Sequence, residues 1–116
     1  MNITYFDNNA TTAVAPEVLE AMLPYLSDYY GNPSSMYRFA GKAEAGLSHA
    51  REQVAAILGA SPEEIIFTAC GTESDNAAIH SALSSQPDKR HIITTKVEHP
   101  AVLATVQQLE NSGYSV

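Results

Sequence analysis

One stretch, Phe67 to Asn76, constrains the fold more than any other part of this sequence. A short β-branched and aromatic run, Ile65 to Phe67, leads into a small-residue turn, and the chain reads as a helix from Thr72 onward. Gly71 is expected to relieve steric crowding where the backbone turns. The free N–H groups of a first helical turn attract anions. The stretch therefore predicts either a phosphate site at Gly71 and Thr72 or a helix that Thr72 merely caps.

A second junction has the same form. The run Ile92 to Thr95 reads as a strand, and Lys96 to Pro100 leads into another helical pattern. Ligands of open α/β sheets bind beyond the carboxyl ends of the strands, so the two junctions can face one pocket. His99 could stack on a planar ring or move a proton there. The alternative is that His99 only starts a helix whose first residue is Pro100.

Helical spacing of apolar residues extends over most of the remaining chain. Pro24 is predicted to kink or split the first helix, giving two short pieces. A long amphipathic helix then ends at Gly59, and Ser61 to Glu64 reads as a capping box on a single turn. The two strand-like runs and the helix between them predict a β-α-β unit with a right-handed crossover. Tyr114 to Val116 reads as the start of another strand, so we expect this sequence to be part of a longer protein.

Composition excludes several classes of function. The net charge is −7, which argues against nucleic acid or an anionic membrane as the main partner. No apolar run reaches transmembrane length, and the N-terminus does not resemble a signal peptide. The one cysteine excludes an internal disulfide and fits a cytoplasmic protein. No spacing of histidine, cysteine or carboxylate residues suggests a metal site.

Four motifs stand in this sequence in the order and spacing of a known family: Tyr5 to Thr12, Tyr30 to Met36, Gly71 to Asn76 and Val97 to Val102. The chain resembles the N-terminal part of the cysteine desulfurases, pyridoxal-phosphate (PLP) enzymes of the class V aminotransferase superfamily. The resemblance implies an α/β fold-type I transferase with a mostly parallel sheet flanked by helices. Residues 1–116 would form the N-terminal segment and the first part of the large PLP-binding domain, with no internal boundary.

The resemblance also implies roles for individual residues. Gly71 and Thr72 match the positions that bind the cofactor phosphate, and His99 matches a histidine that stacks on the pyridine ring and is thought to assist proton transfer. Asn8 to Thr12 and Asn32 to Ser35 match loops that border the active site and the dimer contact. Cys70 is expected to have no catalytic role.

The implied activity is removal of sulfur from L-cysteine, giving L-alanine and an enzyme persulfide for iron–sulfur cluster assembly. The implied partners are a second copy in a homodimer and a sulfur-acceptor or scaffold protein. Family members are several times longer, and their cofactor-binding lysine and persulfide cysteine lie downstream. Lys42, Lys89 and Lys96 do not match that lysine, so these 116 residues alone are expected to be inactive and not stably folded.

Two other interpretations stay open at this point. One is a selenocysteine lyase or another class V aminotransferase-like enzyme, because the residues that select the substrate are not in this sequence. The other is a non-catalytic partner of 116 residues that docks on full-length subunits.

Overall fold

The computed structural model describes residues 3–116, which group into two compact units, one up to Ile65 and one from Ile66 onward. Single 3₁₀ turns at Arg38–Ala40 and Pro62–Glu64 flank the second helix. The helices are α1 (Pro16–Ser27), α2 (Gly41–Leu58), α3 (Gly71–Ser85) and α4 (Pro100–Asn111).

Helix α1 runs through Pro24 without a break, so the predicted division into two pieces is wrong, while the kink stays a prediction. A proline lacks an N–H and its ring crowds the carbonyl four residues earlier, but neither effect ends α1, in which Pro24 lies in the last turn. The carbonyl of Pro24 accepts hydrogen bonds from the N–H groups of Asp28 and Tyr29, both at 2.8 Å. These bonds close the helix immediately after the proline.

Helix α2 belongs to the first unit, and its Ala55 is buried. A side chain at Gly46 would collide with the ring of Tyr25, so only a glycine lets that ring lie this close to α2. Gly59 ends the helix with a φ of 66°, as the sequence predicts. The predicted capping box is also confirmed, since the N–H of Ser61 donates to Oε2 of Glu64 at 2.8 Å.

The second unit is built on the contact between α3 and α4. The residues that α4 buries recur at helical spacing and form one face, which becomes the core of this unit. Three of them are apolar and one is a threonine whose hydroxyl is hydrogen-bonded. They are Ala101, Thr105, Val106 and Leu109.

The two predicted strands do not form among residues 3–116, where the one β-interaction is a parallel bridge between His91 and Ser115. The Ile92 N–H donates to the Ser115 carbonyl at 2.8 Å. A strand exists only where a neighbouring strand completes its hydrogen bonds, and residues 65–67 are assigned to no strand or bridge in the described part of the chain. Ile66 and Ile93 accordingly stay 82% and 87% exposed.

The α/β prediction is therefore not confirmed by the secondary structure of residues 3–116, which is mainly helical. The parallel bridge does join segments on either side of α4. That is the connectivity of a β-α-β unit reduced to a single pair of residues. The handedness of the predicted crossover and the single-domain assignment stay predictions.

Candidate functional site

Helix α3 begins at Gly71, and the preceding residue, Cys70, is its N-cap in an extended conformation. No side chain caps the helix there, and the hydroxyl of Thr72 makes no hydrogen bond within residues 3–116. The interpretation of Thr72 as a mere cap is therefore wrong. Its hydroxyl stays available to a ligand.

The first turn of α3 leaves its backbone donors open. The first N–H with an acceptor is that of Ser74, which donates to the Cys70 carbonyl at 3.2 Å. The N–H groups of Gly71, Thr72 and Glu73 have no acceptor within the described residues. Donors of this kind carry the positive end of the helix dipole and bind anions.

Neighbouring side chains turn away from these donors. The Glu73 carboxylate accepts a hydrogen bond from the Ala69 N–H at 2.7 Å. The Ser74 hydroxyl lies 2.6 Å from that of Thr68. Both side chains are thus tied to the loop before the helix, and neither occupies the donors.

His99 starts α4 directly before Pro100, as the helix-start interpretation predicts. Its Nδ1 atom accepts a hydrogen bond from the Ala101 N–H at 3.1 Å. An imidazole nitrogen that accepts cannot also carry the proton, so the neutral ring has its hydrogen on Nε2. The capping bond occupies one nitrogen and leaves Nε2 free of partners among residues 3–116.

One open cleft of about 360 Å³ is lined by Cys70, Gly71, Thr72, Asp75 and His99. The structure therefore brings together the residues that the sequence singles out for phosphate binding and ring stacking. Asp75 lies one helical turn after Thr72, and that spacing is the sequence signal for its place in the wall. The Cys70 thiol is free and exposed.

Gly71 does not relieve crowding within the chain, contrary to expectation. A Cβ atom at this position would meet nothing within 4 Å among the described residues, and its φ is not positive. Packing within the described residues therefore does not require glycine at position 71. A ligand that approaches the backbone closely would require it.

A hydrogen-bonded link between α3 and α4 is the feature that sequence reasoning missed. The Thr105 hydroxyl is 2.6 Å from Oδ1 of Asn76 and 2.8 Å from the Ala101 carbonyl. The Nδ2 atom of Asn76 donates to the Thr72 carbonyl at 2.8 Å. The spacing of four residues from Thr72 to Asn76 was visible in the sequence, but the pairing across two helices was not.

Two other kinds of feature are not seen in the described part of the chain. Residues 3–116 contain no group of three or more histidine, cysteine or carboxylate side chains placed to hold a metal ion. Within the same residues, no helix is long and apolar enough to span a membrane.

Comparison with known proteins gives the family. The aminotransferase class-V profile matches residues 4–116. The chain belongs to the aminotransferase class-V family. A cysteine desulfurase of Trichormus azollae is 65% identical over 116 residues, which is all of this chain and 29% of that relative. The resemblance to cysteine desulfurases is thereby confirmed.

Two solved structures have a backbone fold that superposes closely on this chain. A NifS-like protein superposes with a TM-score of 0.88 at 46% identity, over 97% of this chain and 31% of its own. The structure described as SspA in complex with cysteine gives a TM-score of 0.89 at 43% identity, over 98% and 33%. The chain thus has the fold of the matching part of these proteins and spans about a third of their length.

Proposed function

We propose that this chain forms the phosphate-binding part of a PLP-dependent cysteine desulfurase. The enzyme would remove sulfur from L-cysteine, giving L-alanine and an enzyme persulfide for iron–sulfur cluster assembly. One observation carries the proposal: the open N–H groups at the start of α3 lie in the same cleft as the histidine that starts α4. That cleft combines an anion site with a flat aromatic ring.

The residues present fit the chemistry of PLP, which is a planar ring bearing a phosphate. The N–H groups of Gly71 and Thr72, with the Thr72 hydroxyl, are donors for phosphate oxygens. The imidazole of His99 offers a face for the pyridine ring. The half-buried Asp75 carboxylate repels an anion, so we expect the phosphate on the side of the cleft nearer Gly71.

Each residue has a role that follows from its hydrogen bonds. Gly71 and Thr72 bind and orient the phosphate, which holds the cofactor against the wall of the cleft. His99 stacks on the ring and carries a proton on Nε2, because Nδ1 is held by the Ala101 N–H. When bound, PLP supplies the electron sink for bond cleavage next to the amino group of the substrate.

The names of two similar proteins support this assignment. The Trichormus azollae relative is a cysteine desulfurase, and the SspA structure contains cysteine. By analogy we propose L-cysteine as substrate, a homodimer, a sulfur-acceptor or scaffold protein as partner, and a cytoplasmic location. We also propose that residues 1–116 form the N-terminal segment and the first part of the large PLP-binding domain, with no internal boundary.

A binding titration on the full-length natural protein, stripped of cofactor, tests the proposal. Wild-type protein should bind PLP, and Thr72→Val should weaken binding about tenfold because one phosphate donor is lost. Thr94→Val is the matched control, because Thr94 is half-buried, makes no hydrogen bond within residues 3–116 and lies outside the cleft. Pyridoxal, which lacks the phosphate, should bind both variants alike.

The reaction is checked by incubating the loaded protein with L-cysteine and a reductant. Equal amounts of alanine and sulfide would support a desulfurase. A protein that binds no PLP, or that binds it and releases no alanine from cysteine, would overturn the proposal. Turnover of selenocysteine without turnover of cysteine would replace it with a selenocysteine lyase.

A further inference from the structure

We infer that Asn76 and Thr105 are positioning residues that fix the phosphate-binding turn relative to His99. The inference rests on the proposed function, because it assigns the two ends of one cofactor to α3 and α4. Neither side chain lines the cleft. Both would act through the residues that line the cleft.

The link begins at the phosphate end. Nδ2 of Asn76 donates to the carbonyl of Thr72 at 2.8 Å. This bond returns to the first turn of the same helix, so it fixes the orientation of the Asn76 amide. Oδ1 of Asn76 is thereby left to accept a hydrogen bond from a residue outside α3.

The middle of this hydrogen-bonded link is the contact between α3 and α4. The Thr105 hydroxyl lies 2.6 Å from Oδ1 of Asn76, and the residue is only 6% exposed. The Asn76 oxygen has no other donor within residues 3–116. The Asn76 oxygen is partly buried, and an acceptor that loses its donor there is costly, so loss of this hydroxyl should loosen the contact between α3 and α4.

The link ends at the ring. The Thr105 hydroxyl is also 2.8 Å from the Ala101 carbonyl, and the Ala101 N–H donates to Nδ1 of His99. A hydroxyl has one proton, so Asn76 and Ala101 share it. A continuous series of hydrogen bonds and peptide units therefore joins Thr72 to His99.

This arrangement makes a prediction that simple helix packing does not make. PLP has to meet the phosphate donors and the imidazole at once, so its affinity depends on their relative position. Pyridoxal meets only the ring, and inorganic phosphate meets only the donors. A residue that sets the distance between the two ends should affect PLP and leave both half-ligands unchanged.

The experiment compares these three ligands on the full-length natural protein without cofactor. We expect Thr105→Val to weaken PLP binding about tenfold while pyridoxal and inorganic phosphate bind as in wild type. Thr105→Ser should restore PLP affinity because it keeps the hydroxyl. Asn76→Ala is the second variant and should behave like Thr105→Val, and Thr94→Val is again the control.

The outcomes separate the possible failures. Wild-type PLP affinity in Thr105→Val and Asn76→Ala would overturn the link and leave the proposed function intact. Equal weakening of all three ligands would also overturn it, because it would show a general loosening of the unit. A wild-type protein that binds no PLP would overturn the proposed function and the link with it.

Discussion

Nδ1 of His99 accepts a hydrogen bond from the N–H of Ala101 at 3.1 Å. One side chain thus serves as the N-cap of α4 and as part of the cleft wall. The two roles use different parts of the ring. They can therefore be separated by mutation.

Substitution of His99 should reveal both roles. His99→Ala removes the cap and is expected to destabilise the start of α4 by about 1 kcal/mol, whereas His99→Asn keeps an N-cap acceptor and should cost much less. Both variants lose the imidazole that we propose stacks on the cofactor, so both should bind PLP more weakly. Hydrogen exchange of the α4 amides and a PLP titration measure the two effects. Equal exchange rates in the two variants would contradict the capping role.

Gly71→Ala tests whether a ligand, and not the fold, requires glycine at the start of α3. The added methyl meets nothing within 4 Å among residues 3–116, and alanine favours a helix over glycine by up to about 1 kcal/mol. We expect the stability of α3 to be unchanged or raised while PLP affinity falls. Gly41→Ala is the control, because it is equally open and lies outside the cleft. Unaltered PLP affinity in Gly71→Ala would argue against close approach of the phosphate.

Cys70→Ala should leave PLP binding and sulfide release unchanged. Cys70 lines the cleft, but its thiol is exposed, makes no capping hydrogen bond and has no role in the proposed binding of PLP. Cys70→Ser, which adds an N-cap acceptor, should stabilise α3 by about 0.5–1 kcal/mol. Assays of sulfide and of α3 hydrogen exchange check the pair. Loss of sulfide release in Cys70→Ala would assign the thiol a part in the reaction.

Gly46→Ala should destabilise the first unit by about 1–3 kcal/mol, because the methyl would collide with the Tyr25 ring. Gly41→Ala in the same helix is expected to be neutral or stabilising, since its methyl meets nothing. Hydrogen exchange of the α2 amides measures both. In a Tyr25→Leu background the cost of Gly46→Ala should shrink. An unchanged cost there would mean that another contact is responsible.

The helices of this chain were largely predictable from the sequence because their signals are local. Gly59 ends α2, and Pro100 starts α4 next to His99, as their backbone preferences predict. The failure at Pro24 is also local. A proline near the end of a helix removes one hydrogen bond and leaves the following carbonyls paired, so α1 continues.

The strands were predicted from apolar runs and did not form among residues 3–116. An apolar run of this kind indicates only that the segment favours an extended conformation when neighbouring strands lie on either side of it. Ile66 and Ile93 pair with no strand in the described part of the chain and stay exposed. The runs themselves do not show which segment would lie beside them as a neighbouring strand, so the prediction could not test whether such a strand is present.

The residue types at the helix starts were determined by the sequence alone. Gly71, Thr72 and His99 could be named there because capping and anion binding depend on a few consecutive residues. The packing of α3 on α4 decided that these positions share one cleft, and that Asn76 meets Thr105. The physical reason is distance along the chain: a hydrogen bond between residues on different helices exists only after burial of apolar side chains has brought the helices together.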